Sequence, residues 1–77
     1  MDLQSDKCYI LVAEDIKRIF LWMGIASSVR SKFIGAKRVQ EIRGQVGMNF
    51  KIVPVDEGNE PQEFLDYFYK NDEFEEV

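Results

Sequence analysis

Seventy-seven residues make one small domain, near the lower limit at which a single core holds without staples. With 45% hydrophobic residues, including six Phe, three Tyr and one Trp, the chain is too apolar to be disordered. Net charge is −4, and the lone cysteine, Cys8, excludes an internal disulfide.

The charge is unevenly spread. Residues 1–14 carry a net −2, residues 15–51 a net +6 and residues 52–77 a net −8. A basic middle can signal nucleic acid. Here the acidic last third offsets that field, and no aromatic-interleaved RNA motif is present. No nucleic-acid partner is expected; a polar protein surface is. The longest apolar run is the six residues from Cys8 to Ala13, too short to span a membrane. Met1 to Ser5 has neither a basic region nor an apolar core, so no secretory signal is expected. Cys8 sits inside an apolar run, where a free thiol behaves as a small hydrophobe. That fits a reducing, cytoplasmic setting.

Leu3 to Lys7 is a polar lead-in. Cys8 to Ala13 is continuously apolar and rich in β-formers, which reads as a strand covered on both faces. Four residues later Arg18 to Met23 forms a second strand. The link is of hairpin length, so the two strands pair antiparallel. Neither alternates cleanly with polar residues, which places helices on both faces of a central hairpin. Trp22 packs in the core or caps its edge. Gly24 ends the strand, and Ser27 or Ser28 caps a helix over 28–44. Gly44 is the expected C-cap. Val29, Phe33, Ala36, Val39 and Ile42 are assigned to the core face, with Gly35 at its margin. A mid-helix glycine costs about 1 kcal/mol against Ala, which close approach of helix to sheet would offset. Arg30, Ile34, Lys37, Arg38 and Glu41 fall on the other side. Phe50 to Val55 reads as a third strand. Pro54 requires it to lie at an edge or to point that residue's missing donor outward. Strand–helix–strand at this spacing favours a parallel crossover. Asn59 or Glu60 caps a second helix, with Pro61 in its first turn and Phe64, Leu65 and Phe68 on one face. Residues 71–77 form an acidic tail expected to fray.

Nothing here is an enzyme signature. There is no His, the single Cys has no base partner, and no glycine pattern fits a phosphate or dinucleotide loop. Calcium needs several converging oxygens. Asp56 with Glu57, and Asp72, Glu73, Glu75 and Glu76, supply oxygens without EF-hand spacing, and Asp6 is a weak further candidate. No metal and no cofactor are expected.

Four blocks carry a resemblance. Asp6 to Leu11, Ile19 to Gly24, a helix opened by Ser27 or Ser28, and Val53 to Phe64 stand in the order and spacing of a gelsolin-homology domain. The match covers about residues 3–70 within a single domain of 1–77. The chain resembles the minimal single-domain gelsolins of archaea that carry eukaryote-like actins. The resemblance implies an α+β fold: a central mixed sheet of four to five strands between one long and one short helix. It implies actin as the partner, with the exposed side of the long helix laid into a cleft of actin. On this chain that side is Arg30, Ile34, Lys37, Arg38 and Glu41, with Ile34 the apolar anchor. The expected role is actin regulation by monomer sequestration or filament capping. The competing reading is a gelsolin-fold interaction domain with a non-actin partner, since fold alone does not fix function. A homodimer through a strand edge suits either. The family also implies calcium, held by an Asp before the first strand and a Glu early in the long helix. On this chain those positions are Lys7 and Ser31, so no obligatory calcium is expected.

Overall fold

Continuous apolar runs become strands here because both sides of the sheet are covered. In the computed structural model, which describes residues 2–70 and 74–77, β1 (Cys8–Ala13) and β2 (Arg18–Met23) pair antiparallel from Cys8 opposite Met23 to Ala13 opposite Arg18. β2 pairs parallel with β3 (Lys51–Asp56), and β1 pairs antiparallel with β4 (Glu75–Glu76). The sheet order is β3-β2-β1-β4, a four-stranded mixed sheet with the hairpin at its centre. Between the strands run two helices, α1 (Val29–Val46) and α2 (Gln62–Lys70), giving the α+β architecture expected.

The period of two sorts each strand between two cores. Cys8, Ile10, Ile19 and Leu21 meet Val39 and Ile42 of α1, with Phe50. Tyr9, Leu11, Ala13, Phe20 and Trp22 meet Phe64 of α2, with Val55. Each large side chain buried this way contributes about 1.5–3 kcal/mol. Phe20 meets Phe64 edge-on with centroids 5.4 Å apart, and Trp22 is 1% exposed. The Trp22 indole N–H donates to Glu60 Oε2 at 2.9 Å, so its polar end is satisfied.

Two expectations for α1 are corrected. The helix runs through Gly44 and stops at Gly47, whose φ is 136° and whose N–H donates to Arg43 C=O at 2.9 Å. A glycine lowers helix propensity but ends a helix only where positive φ is adopted. The buried stripe is Gly35, Val39 and Ile42. Val29, Phe33 and Ala36 are exposed, Val29 at 85% and Phe33 at 72%. The row 33, 36, 39, 42 advances three residues per step. At about 100° per residue, nine residues wind about two and a half turns, so Phe33 and Ile42 point to opposite sides. Gly35 takes the core position and brings the helix backbone against Leu21. Ser28 is the N-cap, its Oγ accepting from Ser31 N–H at 3.0 Å.

The end of the chain is also corrected. Glu75 and Glu76 pair with Ile10 and Tyr9 rather than fraying, and Val77 N–H donates to Cys8 C=O at 3.0 Å. Phe74 packs on Phe68, centroids 5.0 Å apart. Residues 71–73, which include Asp72 and Glu73, lie outside the described residues.

Candidate protein-binding surface

The turn between β2 and α1 is fixed by one carboxylate. Glu57 Oε1 accepts from Ile25 N–H at 2.8 Å, and its Oε2 accepts from Ser5 Oγ at 2.7 Å. Ser5 C=O accepts from Ala26 N–H at 2.9 Å, and Ser27 Oγ donates to Gly24 C=O. These two donors hold the Glu57 carboxyl below the usual glutamate range, the backbone bond from Ile25 more than the hydroxyl of Ser5. These bonds tie the loop down, yet the Ile25 side chain is 79% exposed.

Beyond the loop, α1 turns a mixed face outward. Val29 and Phe33 form one flank, Arg30 and Lys37 the middle, and Ile34 with Glu41 the other flank, by the 100° advance. Of the residues anticipated for contact, Arg30, Ile34, Lys37 and Glu41 are exposed on this face. Arg38 is half-buried and committed within the chain, to Glu75 and, at 3.6 Å, to Glu41. Glu41 is therefore partly neutralised. Sequence reasoning missed Ile25, Val29 and Phe33 as surface residues. A strict count of the helical period from Val39 would have exposed Phe33, because core helices repeat at three and four residues in alternation.

Apolar side chains exposed to water, with two cations between them, suit a partner with an apolar cleft and an acidic border. Isolated exposed apolar residues are ordinary. Three of them lie at one end of one helix and its entry loop.

The calcium implied by the resemblance does not fit these residues. Lys7 brings an ammonium to the place of a carboxylate, and it donates to Glu76 Oε2 at 3.1 Å. Ser31 brings a hydroxyl bonded to Ser28 Oγ at 3.0 Å. Asp6 is exposed, and its charge acts on Lys7. Among the described residues, no three His, Cys, Asp or Glu side chains gather in a way that could hold a metal.

Two grooves flank the end of β1. One, of about 520 Å³, includes Ile10, Val12, Ile42 and Phe74. The other, of about 420 Å³, includes Val12, Asp15, Tyr67 and Lys70. Burial and the neighbouring Asp15 push the Tyr67 phenol up, the opposite of an activated phenolate. No helix among the described residues is long and apolar enough to cross a membrane.

The family model for the gelsolin repeat matches residues 1–65. Among solved structures, the chain is similar to the Thorarchaeota ProGel in a complex with rabbit actin. There the identity is 28% and the TM-score 0.80, over 84% of this chain and 73% of that one. It is also similar to the Thorarchaeota 2DGel3 in a complex with rabbit actin. There the identity is 32% and the TM-score 0.72, over 80% of this chain. The match spans only 30% of 2DGel3. No curated protein matches the sequence.

Proposed function

Because the chain belongs to the gelsolin repeat family, we propose that it binds actin through the outward face of α1 and so restrains actin assembly. The observation that carries this is the exposure of Ile25, Val29 and Phe33 at the start of α1 and its entry loop, with the exposed Arg30 and Lys37 on the same helix. Two solved relatives that are complexes with actin support the choice of partner. Phe33 is the principal anchor, as the largest and among the most exposed apolar side chains on the helix. Ile34 seats the opposite flank. Arg30 and Lys37 meet acidic groups on the partner and speed association more than they deepen it. Arg38 holds the fold and takes no part in the contact. The role needs no catalytic group and no calcium. It acts by covering an assembly surface on a monomer or on a filament end.

Polymerisation of pyrene-labelled actin tests this. Wild-type protein slows assembly, while Phe33→Asp weakens the effect tenfold or more, about 1.4 kcal/mol. Circular dichroism stays unchanged, because position 33 faces water. Seeded elongation separates the two modes: substoichiometric arrest marks capping, and stoichiometric loss of free monomer marks sequestration. No effect of saturating wild-type protein removes actin as the partner. Undiminished inhibition by both Phe33→Asp and Ile34→Asp removes α1 as the site.

A further inference from the structure

The last strand is short and its side chains are charged, yet it completes the sheet. β4 pairs only with Tyr9 and Ile10, two residues against two. Its two glutamates point opposite ways across the strand, and each meets a cation. Glu75 accepts two bonds from the Arg38 guanidinium on α1, the Nη2 bond at 3.0 Å. Glu76 accepts from the Lys7 ammonium, just before β1, at 3.1 Å. The partners lie 37 and 69 residues apart in sequence, so each pair ties the chain end to a distant element. The local charges agree. The bond with Glu76 raises the Lys7 ammonium, and the bond with Arg38 lowers the Glu75 carboxyl.

Lys7 also stands where the resemblance implies a carboxylate facing calcium. An ammonium and a divalent cation do the same work on a nearby carboxylate, and one excludes the other. We propose that the Lys7–Glu76 pair, with Arg38–Glu75 beside it, closes the end of the sheet in place of a metal, so that this domain is indifferent to calcium. Fixed charges carried by the chain replace a bound ion. Dependence on calcium is exchanged for dependence on ionic strength, because the side chains of Lys7 and Glu76 are 35% and 53% exposed and salt screens them.

Hydrogen exchange at the Val77 amide reads the closure, since that N–H donates to Cys8 C=O. Millimolar calcium, compared with chelator at matched ionic strength, is expected to change neither this exchange rate nor the Tm of the wild-type protein. Lys7→Glu and Glu76→Lys are each expected to speed exchange about three- to fivefold, the scale of one exposed pair. Combining the two restores the opposite charges and is expected to return the rate to within about twofold of wild type. Far-ultraviolet circular dichroism verifies that each variant remains folded. The proposal is overturned if calcium slows the exchange or raises the Tm of the wild-type protein. It is equally overturned if the combined variant exchanges as fast as the single ones. Actin is absent from every arm, so these outcomes are independent of the function proposed above.

Discussion

The Cβ that Gly35 lacks would stand 2.9 Å from Leu21 Cδ1. Leu21 is 4% exposed and packed within the α1 core, so its methyl has little room to yield. Gly35→Ala therefore combines two opposed effects. Helix propensity gains about 1 kcal/mol, and overpacking costs about 1–3 kcal/mol. The cost wins, and a net loss of about 1 kcal/mol is expected as a lower urea midpoint at unchanged m. In a Leu21→Val background the opposing methyl recedes, and the same Gly35→Ala change turns neutral or stabilising. A double-mutant cycle that returns no coupling refutes the steric account.

Glu57 makes the turn before α1 sensitive to acid. Its carboxyl is held low by Ile25 N–H and Ser5 Oγ. A carboxyl lowered in the folded state contributes stability in full above its unfolded value, about 4.3. That contribution is lost as pH falls through the lower folded value. Glu75, lowered first by its bond to Arg38, acts with the same sign. Acid unfolding of Glu57→Gln is thus expected to show a shallower loss of stability below about pH 4.3 than wild type. An identical pH profile in variant and wild type contradicts the assignment.

The core strands are legible in sequence because two covered faces make unbroken apolar runs, as from Cys8 to Ala13 and from Ile19 to Met23. The face of α1 is not. Val29 and Phe33 are apolar yet exposed, and composition cannot separate such residues from buried ones. Gly35 has no side chain to announce that it occupies the core. β4 leaves no local trace either. Glu75 and Glu76 have poor strand propensity, and the cations that meet them, Arg38 and Lys7, come from distant parts of the chain. Trp22 and Gly24, by contrast, are where position and neighbours agree: the strand ends there, and Gly24 N–H donates to Lys7 C=O at 3.0 Å.

Pro54 guards the free edge of β3. Lys51 N–H donates to Lys17 C=O and Glu57 N–H to Met23 C=O, so alternate residues 51, 53, 55 and 57 face β2. Ile52, Pro54 and Asp56 face outward, and the missing donor of Pro54 falls in the middle of the open edge. The ladder loses nothing, while a docking strand loses its central bond. Pro54→Val is expected to leave the monomer's stability within about 0.5 kcal/mol and to promote association through this edge. Sedimentation velocity detects the change as a concentration-dependent rise in mass. A variant as monomeric as wild type at every concentration shows that the edge is guarded by something else.

Trp22 offers a direct optical test of how α2 is anchored. Its indole N–H is buried, and its acceptor is Glu60 Oε2 at 2.9 Å, while Glu60 Oε1 accepts from Gly58 N–H at 3.0 Å. One carboxylate thus ties the centre of the sheet to the turn that launches α2. Glu60→Ala removes both acceptors and leaves a buried donor unpaired, a loss of about 1–3 kcal/mol. Glu60→Gln keeps one acceptor oxygen and recovers part of it. Trp22 is the only tryptophan, so its fluorescence reports this site alone. Urea unfolding followed by that emission is expected to rank wild type above Glu60→Gln and Glu60→Ala lowest. If Glu60→Ala unfolds at the wild-type midpoint, the indole finds another acceptor and the bond to Glu60 is dispensable.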